Sequence, residues 1–303
     1  MFTYKKLAKR ERSLKAFTGF SVSEFEALHK ELLPIWERRF IRQNRIRKPG
    51  GGRTSHVNCF ADELVLILTF YRNYPVYEIL GFLFNLDISN IGRHINTLEE
   101  TLAKLAKYRL AKPQGIRRIR TIKEFYEKFP ELDELIGDAT EQPIERPQKK
   151  SQQKKHYSGK KKRHTLKTQL IIRKDQWIYD VSLSYPGHIH DKTIMTRERT
   201  PDKIPKLSKV RVDNAYQKIQ REYPDNNFIL PEKANRWHKL NRKQKKANKE
   251  KSSLRIPVEH TIARLKNFKV LAYKYRHDVA KYNRTFRNIC GLNNFRLDLA
   301  TAY

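Results

Sequence analysis

Three carboxylates, each in a different local setting, carry the chemistry that can be read first. Asp138 closes the apolar run Leu135-Ile-Gly-Asp, and Asp213 closes Val210-Arg-Val-Asp. Glu259 falls in a basic helical pattern, Val258-Glu-His-Thr-Ile-Ala-Arg-Leu-Lys-Asn-Phe268. Two strand-ending aspartates and a helical glutamate offer hard oxygen ligands of the kind that Mg²⁺ takes, Mn²⁺ being a substitute. In a chain of formal net charge +33, that set suits holding divalent metal against a phosphodiester. Asp191, in Pro186-Gly-His-Ile-His-Asp191, is a rival for the second ligand, but it precedes a helical pattern and reads better as a helix cap.

The charge points to the same partner. Against 32 Asp and Glu stand 65 Lys and Arg in 303 residues, a footprint for a polyanion. A structural RNA binder or a protein drawn to membrane surfaces are the bland alternatives, and the first leaves the carboxylates without a purpose. The longest clean apolar run, Leu64-Val-Leu-Ile-Leu68, is far below the roughly 20 residues that a bilayer requires. Basic residues rather than an apolar leader follow Met1, and Cys59 and Cys290 are too isolated for a disulfide framework or a zinc site. The expectation is a cytoplasmic, nucleoid-associated bacterial protein with no membrane partner.

Elements that could position these residues follow in order. Val22, Phe25, Leu28 and Leu32 recur at helical spacing behind a Ser-x-x-Glu start, Ser21 to Glu24 or Ser23 to Glu26. After a break at Pro49-Gly-Gly-Gly52 come apolar segments Phe60 to Tyr71 and Val76 to Leu86, then Asp87 as a possible cap. Ile88, Ile91, Ile95, Leu98, Leu102 and Leu105 then form one apolar stripe, with Ser89, Asn90 and Arg93 on another face. Helix, short turn, helix over about 76–108 is a helix-turn-helix arrangement, whose second helix reads base edges with side chains of this kind. A plain helical hairpin or a dimerising coiled coil fits the same stripe.

Pro113-Gln-Gly115 gives the boundary between a helical DNA-binding domain, 1–115, and a second domain, 116–303. An amphipathic segment, Ile122 to Phe129, leads to the strand before Asp138. His164–Arg173 and Gln176–Leu183 read as a hairpin turning at Lys174-Asp175; Gly187 to Asp191 opens a helix, and Leu207–Val212 is a further strand. Strand, hairpin, helix, strand and later helices is the order of an α/β ribonuclease H-like domain, a mixed sheet flanked by helices.

At this point the motifs support a resemblance. Asp138-Ala-Thr-Glu-Gln-Pro-Ile-Glu-Arg-Pro147, His156-Tyr-Ser-Gly-Lys-Lys-Lys-Arg-His164, Pro186 to Asp191, Asp213-Asn-Ala-Tyr216 and Glu259 with Arg264-Leu-Lys266 occur in that order. The series resembles the insertion-sequence transposases of the DDE superfamily, bacterial relatives of the PIF/Harbinger elements, over about residues 120 to 280. The helical region before it resembles that family's N-terminal helix-turn-helix domain. Ala139 stands where glycine is common, and Asn214-Ala215 where Lys-Gly is common. The resemblance implies a DDE endonuclease with catalytic and metal-binding Asp138, Asp213 and Glu259. Asp138 would bridge two Mg²⁺ ions, while Asp213 and Glu259 each hold one. Water would cut first, and the freed 3′-hydroxyl would then attack target DNA. The implied partners are double-stranded DNA, as the element's terminal inverted repeats and its target, and a second copy in a dimer. A domesticated regulator derived from a transposase is the alternative, against which the intact triad argues.

Further basic residues complete the expectation. Arg146 to Lys174 carries twelve Lys or Arg and no acid, and Arg236 to Lys251 eight against Glu250 alone. Each run adjoins a proposed ligand in sequence, so Lys160, Lys161, Lys162 and Arg163 are read as phosphate contacts. Lys266 shares a helix face with Glu259, and Arg264, some way round from it, contacts DNA beside the site or packs against the sheet. His164 and His190 read as structural or DNA-facing. Tyr157, Trp177 and Trp237 are open to base stacking or to core packing.

Overall fold

The computed structural model describes residues 2–38, 57, 59–113, 121–234 and 239–301. The chain forms two compact units, Met1–Arg109 with Lys266–Tyr273 and Ala280–Tyr303, and Leu110–Leu265 with Lys274–Val279.

The first unit is helical: α1 (Tyr4–Ala8), α2 (Glu11–Thr18), α3 (Val22–Glu37), α4 (Phe60–Asn73), α5 (Tyr77–Phe84), α6 (Ile88–Arg109) and the last helix, α14 (Val279–Thr301). Ser21 begins α3 with a complete capping box, its hydroxyl accepting from Glu24 N and the Glu24 carboxylate accepting from Ser21 N, worth about 1 kcal/mol. α4 is buried from Asp62 to Tyr71 and is the central helix of this unit. The turn from α5 to α6 rests on Asn85 in the left-handed region at φ 52°, a conformation Asn tolerates. Asp87 starts α6, accepting from the Ser89 backbone N–H. Ile91, Ile95, Leu98, Leu102 and Leu105 are buried inside the unit, whereas Ile88, expected in the same stripe, is the first residue of α6 and 47% exposed.

A single cut at 115 does not describe this division. α14 returns to the helical unit because Tyr282, Phe286, Ile289, Leu292 and Phe295 are buried there at helical spacing. Its Thr285 hydroxyl donates to the buried carboxylate of Glu99 on α6 over 2.7 Å, and its Asn288 amide to the Glu99 carbonyl over 2.9 Å. The glycine break at 49–52, most of the 113–115 boundary and Trp237 lie outside the described residues.

The second unit is built on a mixed sheet. Its elements are α7 (Ile122–Lys128), β1 (Glu134–Pro143), α8 (Lys150–His156), β2 (Tyr157–Ser158), β3 (Arg163–Arg173), β4 (Ile178–Pro186), α9 (Asp191–Arg197), α10 (Thr200–Lys203), β5 (Lys209–Arg211), α11 (Ile219–Glu222), β6 (Asn227–Ile229), α12 (Arg242–Ser253) and α13 (Ile256–Lys266). The sheet order is β4-β3-β1-β5-β6, with β2 continuing the outer edge of β3. β4, β3 and β1 are antiparallel; β1, β5 and β6 are parallel. The hairpin turns at Lys174-Asp175 as expected, but β4 starts only at Ile178, because Gln176 takes φ 69° while the Asp175 carboxylate accepts from Trp177 N at 3.1 Å. Phe125, Leu135, Ile171, Tyr179, Met195, Val210, Val212, Tyr216 and Phe228 form the core beneath the sheet. Among the described residues, no helix is long and apolar enough to cross a membrane.

Candidate active site

β1 does not end at Asp138. It runs on to Pro143, paired with β3 from Leu135↔Arg173 to Pro143↔Thr165. What ends is its other edge: the parallel pairing with β5 stops at Ile136↔Arg211. Asp138 therefore lies two residues beyond the point where β1 and β5 separate. Gly137 makes that passage tight, since a Cβ there would stand 3.0 Å from Ile171 Cδ1 and 3.1 Å from Val212 Cγ1. Asp213 emerges just past β5 and caps the 3₁₀ turn Asn214–Tyr216, its Oδ1 accepting from Ala215 N at 2.8 Å.

The two aspartates act on one another. Burial, above all, pushes the Asp138 carboxyl up to about 6; nearby Asp213 and Asp191 add to this, while the Ala139 N–H and Arg255 oppose it. Asp138 Oδ1 accepts from Ala139 N at 2.8 Å, and Arg255 Nη2 is 3.9 Å from Oδ2. Beneath them Tyr216 is wholly buried, with its phenol kept neutral by desolvation and by the charges of Asp191, Asp138 and Asp213.

Asp191 is not the helix cap it was expected to be. His190 is the N-cap residue and Asp191 the first residue of α9; no side-chain cap bond forms. Asp191 instead pairs with Lys167 of β3, Nζ to Oδ1 2.8 Å, and Lys167 also donates to the Ile189 carbonyl at 2.9 Å. The lysine on the neighbouring strand offers a better partner than the short helix's own N–H groups.

Glu259 is exposed on α13, and among the described residues no three His, Cys, Asp or Glu side chains converge as a ready-made metal site. Arg255, immediately before α13, lies four residues from Glu259 and its guanidinium is beside Asp138. Arg255 was not singled out for the site; its only signal was sequence proximity to Glu259. Arg264 Nη2 donates to Gln176 Oε1 over 2.6 Å, held to the β3–β4 turn, and Lys266 closes α13. The oxygen-only donor set of Asp138, Asp213 and Glu259 fits a hard divalent cation.

The basic residues fall on exposed elements. Lys160, Lys161 and Lys162 lie in the exposed turn between β2 and β3, and the exposed Arg163 opens β3. α12 carries Arg242, Lys243, Lys245, Lys246, Lys249 and Lys251 and buries no residue. Both α12 and the polar α8 went unforeseen as helices, for neither has an apolar stripe. Ser89 and Arg93 are exposed and Asn90 half-buried at the start of α6, with Arg93 Nη1 donating to Asn90 Oδ1 at 3.2 Å. His164 meets the Tyr157 ring edge-on at 5.8 Å, and Trp177 packs on the core under the Arg173 guanidinium.

Residues 137–294, from just before Asp138 to beyond Glu259, match the DDE superfamily endonuclease family, and the chain belongs to it. The probable transposase for insertion sequence element IS702 of Microchaete diplosiphon is 33% identical over 241 residues, covering 78% of this chain and 81% of that protein. The chain is thus similar to an insertion-sequence transposase over most of both lengths. No solved structure matches it.

Proposed function

We propose that this protein is a DNA transposase that binds the ends of a mobile element and performs metal-dependent strand cleavage and strand transfer. The observation that carries this reading is the pairing of Asp138 and Asp213 where β1 and β5 part, with the Asp138 carboxyl pushed up to about 6 by burial and by its acidic neighbours. A partly buried carboxylate crowded by like charge is poised to gain from a cation. The sheet, three antiparallel strands continued by two parallel ones, supports a ribonuclease H-like catalytic domain.

In this reading Asp138 and Asp213 hold divalent ions, Mg²⁺ or Mn²⁺, and Glu259 completes the set from α13. Two such ions supply polarisation of the attacking and leaving oxygens of an in-line displacement at phosphorus. Asp138 and Asp213 are fixed by the backbone N–H groups of Ala139 and Ala215, so each offers its remaining oxygen in a set direction. The same residues serve hydrolysis and strand transfer, since only the nucleophile changes, from water to a 3′-hydroxyl. α5 and α6 act as a helix-turn-helix in which Ser89, Asn90 and Arg93 meet base edges. Lys160 to Arg163, α12, Arg264 and Lys266 meet phosphates, and two copies hold two ends together as a dimer.

Asp138→Asn, Asp213→Asn and Glu259→Gln are tested singly on duplexes carrying the element's ends. Cleavage should fall below detection in each while end binding stays within about twofold, because charge removal disables the metals and not the DNA surface. Undiminished cleavage by Asp213→Asn, with loss in Asp191→Asn, would assign the second ligand to Asp191.

A further inference from the structure

Among the described residues, Arg255 is the cation that pairs with Asp138, and its bonding is incomplete. Its side chain is 12% exposed, although Leu254 and Ile256 on either side are 47% and 42% exposed. The guanidinium has therefore been drawn inward while the segment around it faces out. A guanidinium carries five N–H donors. Its ion pair with Asp138 Oδ2, at 3.9 Å, is too long for a hydrogen bond, and Nε is buried without a hydrogen-bond partner. A buried charge with unfilled donors is unfavourable unless further acceptors arrive. A phosphodiester presents two anionic oxygens in a geometry that guanidinium matches.

We propose that Arg255 is a cationic placeholder: it neutralises Asp138 in the free protein, and turns to a phosphate oxygen of the bound strand when Asp138 takes a divalent ion. This rests on Asp138 being a metal ligand. A guanidinium and a divalent cation repel one another strongly at this separation in a partly desolvated site. Metal binding without DNA must therefore displace Arg255 toward solvent, with the loss of its ion pair and no anionic partner gained. With DNA present, the phosphate receives the guanidinium, so metal and DNA assist one another. Linkage makes that assistance reciprocal. A metal-loaded site is then favoured only on a seated strand, which restrains cutting away from bound DNA.

The test titrates the full chain with Mn²⁺, followed by electron paramagnetic resonance, with and without an uncleavable end duplex. In the wild type the duplex should tighten Mn²⁺ binding by about fivefold or more, the lower end of typical coupling. Arg255→Gln should bind Mn²⁺ more tightly than the wild type without DNA and lose the coupling, while cleavage falls by about a hundredfold, as when a donor to the reacting phosphate is removed. Arg255→Lys, which keeps the charge, should retain weak DNA-free binding and part of the coupling. Unchanged or weaker Mn²⁺ binding by a folded Arg255→Gln, with coupling intact, overturns the proposal and leaves the metal reading standing. If wild type and Asp138→Asn bind Mn²⁺ alike, the metal reading fails and this inference with it.

Discussion

The side-chain amide of Gln169 donates to the phenolic oxygen of Tyr216 over 2.8 Å, and both residues are buried. Gln169 lies on β3 directly opposite Ala139, and Tyr216 ends the turn that Asp213 caps. One hydrogen bond thus ties the strand paired with Asp138's neighbour to the backbone that follows Asp213.

Tyr216→Phe leaves the Gln169 amide buried without its acceptor, which should destabilise the fold by about 1 to 3 kcal/mol. Gln169→Leu in the same chain removes the orphaned group and should recover much of the loss, a non-additivity that a double-mutant cycle in urea measures. Cleavage by Tyr216→Phe should drop with end binding unchanged. Additive losses would show that the bond is not what links the two positions.

Asp138 makes a second prediction through pH. Its folded value, about 6, stands above the ordinary 3.8, so the protonated form is the one folding favours. The resulting stabilisation is complete below the unfolded value and is lost as pH rises through about 6. Asp138→Asn, which cannot ionise, should therefore match the wild type near pH 4 and exceed it near pH 8 by about 1 to 3 kcal/mol. Denaturant melts at both pH values in a chelator would measure this. A variant equally stable or weaker at pH 8 would mean that Asp138 ionises in the fold without penalty.

On α6, Asn90 accepts from Arg93 at 3.2 Å, which pre-sets the direction of the guanidinium. Arg93→Ala or Asn90→Ala should cost roughly 1 to 3 kcal/mol of preference for the element's ends over random duplex. Equal losses on both duplexes, measured by fluorescence anisotropy, would restrict that helix to phosphate or protein contact.

Periodicity made α3, α6 and the β3–β4 hairpin legible, because each buries one face and its pattern must repeat with the element. The motifs around Asp138 and Asp213 likewise announced a carboxylate pair. Less visible was anything that depends on a partner far along the chain. Asp191 looked like a cap because it starts a helix, yet Lys167 holds it across the sheet. Glu99, an ordinary helical acid in the sequence, receives Tyr71, Arg284 and Thr285 in a buried site. That network draws the C-terminal helix back to the first unit, a pairing no local pattern encodes. β5 was legible within the run Leu207–Val212, whereas the three-residue β6 is too short for alternation to register.

The two basic surfaces should separate from α6 by their salt response. Lys160, Lys161 and Lys162 lie in an exposed turn with the exposed Arg163 just after it, and Lys243, Lys245 and Lys246 are exposed on a helix that buries nothing. Side chains so placed reach phosphates as point charges with no fixed direction, and interactions of that kind position a protein without reading sequence. Neutralising three lysines in either cluster should weaken binding to every duplex. The slope of log affinity against log salt should become shallower by up to about 0.9 for each phosphate that is no longer neutralised. Preference for the element's ends should survive in both variants. Affinities measured across a salt series for end and random duplexes distinguish the outcomes: an unchanged slope would mean that the lysines stay solvated, and a selective loss on the ends would move sequence readout into the second unit.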